Sequence, residues 1–349
     1  MIPTEPIGSI PRSDELLAAL GGSASDAELA AALDEAVRDT VAEFEATGSP
    51  VITDGEQQKP SFATYPIHGL DSLSPDGVVI PFADGHTRQL PVITKGPFRY
   101  ATHADSYLRA AQGVASKPVK QAVISASALS LLYPADGIDG YSQEAFLADL
   151  IDEAEADIRG CLDAGADSVQ IDFTEGRLAL KLDPSGALLQ QFVDLNNQVL
   201  DRFSDEERSR IGIHSCPGGD HDSTHSADVD YADLLPKLFE HRAGRFYLEL
   251  AGEEEPESVL RAIAANLRAG QRVFVGVIDP IDPAIETAEQ VRDRVLLAAK
   301  HIPVEQLGTT DDCGFSPFAD DRSTARETAF AKIRARVEGT RLAAEQLGA

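Results

Sequence analysis

His214 and Cys216 stand two residues apart at the close of the apolar run Ile211–Ser215. On an extended strand, positions i and i+2 face the same side, so an imidazole and a thiolate there can bind one ion. Cys313 follows a second such run, Leu307–Asp311, in Asp312-Cys313-Gly314, and Glu249 sits near the end of a third, Phe246–Leu250. A carboxylate inside an apolar run needs a partner. Two thiolates, one imidazole and one carboxylate form a tetrahedral, zinc-preferring donor set. Thiolate donors weaken the acidity of the metal towards water and favour capture of a further thiol as a nucleophilic thiolate. The chemistry this points to is alkyl transfer to sulfur rather than hydrolysis. Cys161, in the helical pattern Arg159-Gly160-Cys161-Leu162, reads as core. His221 and His225 are rival ligands by type, but their Asp- and Ser-rich loop, Gly219–Ser226, reads as solvated surface.

The elements that must position these residues alternate in type. Strand patterns are predicted at Ile7–Ile10, Val51–Asp54, Val119–Ser125, Ser168–Phe173, Ile211–Ser215, Phe246–Leu250, Val273–Ile278 and Leu307–Asp311. Helical periodicity covers Asp26–Thr47, Ser142–Ala164, Ser185–Phe203, Pro256–Ala269, Glu286–Lys300 and Arg322–Gln346, with Gly48 and Gly165 as stop signals. Eight short apolar strands alternating with helices predict an α/β protein, a (β/α)8 TIM barrel whose candidate ligands all fall at C-terminal strand ends. A doubly wound sheet would show a glycine-rich turn after its first strand, and none follows Ile7–Ile10. Residues 66–100 break the alternation. Turn signals at Pro75-Asp76-Gly77 and Asp84-Gly85 flank Val78–Phe82 and Leu90–Thr94, which predicts a β-hairpin insertion after the second strand. Without repeats or linkers, residues 1–349 read as one domain.

Composition bounds the partners. The 349 residues carry 30 basic and 58 acidic side chains, a net charge of −28, which disfavours nucleic acid and anionic membrane surfaces. The 43% hydrophobic content supplies a packed core, and three cysteines make no disulfide framework. With no secretory h-region at Met1–Arg12 and no long apolar span, a cytoplasmic location is expected.

Taken in order, Ile7-Gly8-Ser9, Asp54-Gly55-Glu56, Val169-Gln170-Ile171-Asp172, His214-Ser215-Cys216, Glu249, Gly276-Val277-Ile278-Asp279 and Asp312-Cys313-Gly314 resemble the strand-end motifs of the C-terminal catalytic barrel of cobalamin-independent methionine synthase, in its short core form. The resemblance spans nearly the whole chain. It implies a zinc ion on His214, Cys216, Glu249 and Cys313, and methyl transfer to the thiol of homocysteine to give methionine. Gly8 and Ser9 would hold the amino-acid carboxylate, and Glu56 and Asp172 the α-ammonium. A buried salt bridge to a neighbouring Arg or Lys is the alternative for those two acids. No catalytic residue beyond the zinc-bound substrate thiolate is implied.

Three departures bear on the donor. The second, N-terminal half of the full-length enzymes is missing. The pterin-stacking tryptophan expected near Leu131–Tyr133 is absent, as is every other tryptophan, and Ile281 occupies the place of the family's catalytic histidine. These losses favour a methylated corrinoid or corrinoid protein over methyltetrahydrofolate. Zinc-dependent alkylation of coenzyme M is a further alternative, with Arg12, Lys59 and Arg99 as candidate partners of its sulfonate.

Overall fold

The computed structural model describes residues 1–349 apart from the side chain of Ser23. Its centre is a parallel sheet of six strands: β1 (Gln121–Ile124), β2 (Val169–Asp172), β3 (Ile211–Ser215), β4 (Arg245–Leu248), β5 (Arg272–Ile278) and β6 (Leu307–Asp311). They pair in sequence order, β1 with β2 through to β5 with β6. Nearly every residue of these strands is buried, as expected of parallel strands covered on both faces.

The first two predicted strands take a different form. At one sheet edge Thr4 makes a single parallel bridge to Thr309, and at the other Ile52 makes one to Val119. The two segments meet each other through Ile10 N–H donating to Gly55 O at 3.0 Å and Thr53 Oγ1 donating to Gly8 O at 3.0 Å. The ring is thus carried round by isolated bonds where a continuous ladder was expected. Pro3, Pro6, Pro11 and Pro50 explain the difference, because proline has no N–H to give a ladder.

The barrel interior is part apolar, part ionic. Ile7, Tyr247 and Phe274 form a small cluster of their own, with the two rings stacked at 4.8 Å. Beside them Lys120 Nζ donates to Gln170 Oε1 at 2.8 Å and sits 4.1 Å over the Tyr247 ring, while the Tyr247 hydroxyl donates to Glu5 at 2.7 Å. Outside, the helices bury a continuous apolar core. Asp26–Ala46 starts from a capping box of Ser25 and Glu28, and Cys161 lies buried in Gln143–Asp163, as expected.

The predicted hairpin excursion is present, with a shifted second arm. Val79–Pro81 pairs antiparallel with Thr87–Gln89 around Asp84-Gly85, and Val92–Ile93 pairs instead with Leu73–Ser74. The hairpin folds back over the C-terminal strand ends. Arg88 grips Asp220 through Nε at 2.5 Å and Nη2 at 3.0 Å, and Ala83 N–H donates to Thr224 O at 2.9 Å. Among the described residues no helix is long and apolar enough to cross a membrane.

His241 ties the helix side of this frame to pH. It is fully buried, its Nδ1 lies 2.8 Å from Leu238 O, and its ring packs on Phe173. Burial pulls its pKa down to about 4. The unfolded chain takes up this proton first, so the stabilisation is complete above about pH 6.5 and is lost as pH falls towards 4, by about 3 kcal/mol in all. Urea denaturation across that window is expected to show a steeper loss of stability for wild type than for His241→Asn; equal slopes would refute the assignment.

Candidate metal and thiol site

β3 and the loop after β6 bring three donors together. The ligand atoms of His214, Cys216 and Cys313 all lie within 4.8 Å of one another, and all three residues are buried. The two sulfurs are 2.8 Å apart without a disulfide, whose bond length is about 2.05 Å. His214 turns Nδ1 towards Tyr247 O at 3.3 Å, which leaves Nε2 buried and, among the described residues, without a hydrogen-bond partner. A bare ring nitrogen beside two thiols suits a soft cation. The hydrogen bond from Cys216 and the nearby His214 ring hold the Cys313 thiol well below its usual range, while burial pushes Cys216 up.

Local backbone geometry makes this possible. Gly218, two residues after Cys216, has φ +73°, and a Cβ there would meet His225 Nε2 at 1.8 Å. His225 is consequently buried against this turn and neutral, its pKa drawn down to about 4 by burial. That corrects the solvated-surface expectation for His225; His221 is exposed as expected. Beside Cys313, the Asp312 carboxylate accepts from the N–H groups of Leu250 at 2.9 Å, Ala251 at 3.0 Å and Gly252 at 2.6 Å. This clasp fixes the loop after Glu249 to the loop bearing Cys313.

Glu249 itself is not gathered with the other three. Its Oε2 accepts from Arg177 Nη1 at 3.0 Å, and the same nitrogen reaches Glu253 Oε1 at 2.7 Å. It remains close enough for its charge to raise Cys216. Arg177, on the helix Glu175–Leu182, escaped the sequence reading; its position five residues after Asp172 carries no signal without the fold.

The predicted substrate residues line one cleft with the donors: Ser9, Glu56, Asp172, His214 and Cys313 share its wall. Ser9 Oγ accepts from Ser316 N–H at 3.1 Å, and a Cβ at Gly314 would lie 2.1 Å from that oxygen, so Gly314 is required for the close approach. Gly8 stands next to Ser9, its carbonyl taken by Thr53. Glu56 is paired with Lys59 at 3.2 Å, as the salt-bridge alternative anticipated. Asp172 accepts from Gln170 Nε2 at 2.7 Å. Asp54, Glu56 and Asp172 all act on that single lysine, and burial together with the other two acids pushes Glu56 up to about 7.

The three candidate sulfonate partners are already engaged. Arg12 donates to the carbonyls of Glu56 at 2.6 Å and Lys59 at 2.9 Å, Lys59 donates to Ala122 O at 2.9 Å, and Arg99 pairs with Asp149 at 2.6 Å. Next to the cleft lies a larger chamber of about 380 Å³, walled by Phe62, Ile124, Ala128, Leu131 and Leu178 below and by the hairpin's Ile80 and Phe82 above. Phe62, Thr174, Gly218 and Gly219 line both spaces.

The class of protein on view is an α/β barrel with a buried thiol–imidazole cluster at its C-terminal strand ends, a group able to hold a metal ion. Within it, the chain belongs to the cobalamin-independent synthase catalytic-domain family, which it matches over residues 2–340. A methionine synthase of Sulfurisphaera tokodaii is 22% identical over 352 residues, covering 99% of this chain and 94% of that protein. A 5-methyltetrahydropteroyltriglutamate–homocysteine methyltransferase of Synechococcus is 24% identical over 90% of this chain, which spans 40% of that longer protein. The fold matches a B12-independent methionine synthase of Shewanella in complex with selenomethionine, with a TM-score of 0.79 and 19% identity over 99% of both chains. A putative vitamin-B12-independent methionine synthase of Listeria monocytogenes gives 0.71 at 21% identity, covering 97% of this chain and 96% of that one. Membership of a cobalamin-independent family corrects the corrinoid donor expected from the missing tryptophan and histidine.

Arg177 pairs with the buried Glu249 and the half-buried Glu253 at once, so Arg177→Met leaves both uncompensated. The metal-free variant is expected to lose roughly 3–5 kcal/mol against metal-free wild type in urea unfolding. A loss below about 1 kcal/mol would show that Glu249 and Glu253 do not depend on it.

Proposed function

We propose that this protein is a zinc-dependent enzyme that methylates the thiol of homocysteine, with a reduced N-methyl pterin as donor. The observation that carries the reading is the convergence of the His214, Cys216 and Cys313 donor atoms beside the cleft whose wall His214 and Cys313 share with Ser9, Glu56 and Asp172. Zinc on these donors, with Glu249 completing the set, would supply the charge that keeps a substrate thiol ionised at neutral pH.

The chain's own residues account for the rest. The carboxylates of Glu56 and Asp172 on the cleft wall offer the α-ammonium its anionic partners. Ser9 and the backbone at Gly8 face the carboxylate end. With both ends of the amino acid held, the sulfur is aimed at the thiol cluster, and the loss of freedom on binding lowers the barrier to transfer. The apolar chamber beside the cleft suits a flat, uncharged ring system. Phe62, Phe82 and Phe318 on its wall offer aromatic surface in place of the missing tryptophan. The engagement of Arg12, Lys59 and Arg99 speaks against a sulfonate-bearing thiol such as coenzyme M.

Two measurements test this. Purified protein is expected to hold one zinc per chain, and Cys313→Ser to lose most of it; zinc well below one, or unchanged in the variant, would refute the centre. With L-homocysteine and methyltetrahydrofolate, Asp172→Asn is expected to raise KM for homocysteine at least tenfold while kcat changes far less. An unchanged KM would separate Asp172 from the amine.

A further inference from the structure

The wall of the chamber holds a carboxyl group that the site described so far does not use. Glu175 opens the helix after β2, is buried, and lines the chamber. Its Oε1 accepts two hydroxyl hydrogen bonds, from Ser125 Oγ at 2.5 Å and from Ser127 Oγ. Its Oε2 is buried and has no hydrogen-bond partner among the described residues.

The directions of these bonds are fixed by what lies behind them. Asn196 Oδ1 accepts from the Ser127 N–H at 3.1 Å, which sets the orientation of the amide. Asn196 Nδ2 therefore faces Ser127 Oγ at 2.8 Å and donates to it. Its second hydrogen faces His241 Nε2 at 3.4 Å, left as an acceptor because His241 Nδ1 lies against Leu238 O. Ser125 Oγ accepts from the Ala128 N–H at 3.1 Å. Both hydroxyls face Oε1, with Ser127 Oγ also 3.3 Å from Ser125 Oγ. Oε2, which receives no hydrogen bond, is therefore the oxygen open to a proton.

We infer that Glu175 is the acid that protonates the methyl donor's departing nitrogen, delivering the proton from Oε2 as the methyl group moves to sulfur. The inference rests on the function proposed above. In the step, a sulfur lone pair of the homocysteine thiolate forms the S–CH3 bond and the CH3–N pair stays on nitrogen. That nitrogen then takes the Oε2 proton. Thiolate, N-methyl donor and carboxylic acid become thioether, N–H amine and carboxylate, and solvent water restores the acid after release.

The surroundings keep the acid protonated near neutral pH. Burial and the nearby charge of Asp172 outweigh the two serine hydroxyls and push Glu175 up to about 7. Arg177, on the same helix, is spent on Glu249 and Glu253, Lys181 is spent on Asp228, and His225 across the chamber is neutral. Arg88, on the hairpin that lines the chamber, is spent on Asp220 and Asp320, and among the described residues no cation pairs with Glu175.

The test uses the zinc-loaded full chain. With homocysteine and methyltetrahydrofolate, Glu175→Gln is expected to lower kcat at least about 100-fold with KM for homocysteine unchanged, and to remove the fall in kcat above about pH 7. Glu175→Asp, which keeps an acid, is expected to retain that limb and part of the rate. Independently of turnover, infrared difference spectra between wild type and Glu175→Gln should show a protonated-carboxyl carbonyl band at pH 6 that fades above pH 7. A wild type that methylates homocysteine, with Glu175→Gln equally active or without that band, overturns this inference alone. A zinc-loaded wild type that does not methylate homocysteine overturns the function it rests on, and the catalytic role with it.

Discussion

Two sulfur atoms 97 residues apart in sequence are held 2.8 Å from each other in a buried pocket, and much of the barrel mouth exists to keep them there unbonded. Cys216 rides at the end of β3 and Cys313 just beyond β6, three ladder steps away across the sheet. Their approach depends on backbone that side chains would block. Gly218 turns with a positive φ against the His225 ring, and Gly314 lets the Cys313 loop press onto Ser9. Asp312 then clasps three consecutive amides of the loop after Glu249, so the position of the fourth candidate ligand is tied to that of the third. A rigid frame of this kind lowers the cost of ordering ligands around an ion, and explains how charged groups persist at such depth.

The chemistry at this mouth divides into two adjoining spaces with opposite character. The cleft beside the thiols is polar and acidic, with Glu56 and Asp172 on its wall and Lys59 paired to Glu56 behind it. The chamber beside it is largely apolar, roofed by the hairpin that the fold inserts between its second and third barrel segments. A zwitterionic amino acid fits the first and a flat ring the second, with the shared wall at Phe62, Thr174, Gly218 and Gly219 bringing them into contact. The roof is pinned by Arg88 on Asp220 and on Asp320, so the hairpin and the loop after Cys216 form one unit.

Much of this was legible in the residues. Val- and Ile-rich runs gave the six regular strands to within about two residues at each end, because burial on both faces leaves an unbroken apolar signature. The His-x-Cys spacing and the strand-end Cys313 located the face where the three donor atoms converge. What resisted reading was set by pairings between distant segments. The prolines near Pro3–Pro11 reduce the first barrel segments to single bridges. His225 looks like a surface residue in a polar loop until Gly218 is seen to accommodate its ring. Glu249 reads as a ligand by its place on β4's end, yet Arg177, from another element, takes up its carboxylate. Glu175 gave no signal at all, because its role follows from serines, an amide and a buried imidazole spread over four elements. The absent tryptophan pointed away from a flat ring system, since composition cannot reveal that three phenylalanines line one chamber.

The central claim is that two protein thiolates and an imidazole hold a zinc ion to which the substrate's sulfur is added. X-ray absorption at the zinc edge counts sulfur neighbours directly. The account predicts two sulfur ligands in the resting zinc protein and three after addition of L-homocysteine. A resting shell without sulfur, or a sulfur count that homocysteine leaves unchanged, would contradict it.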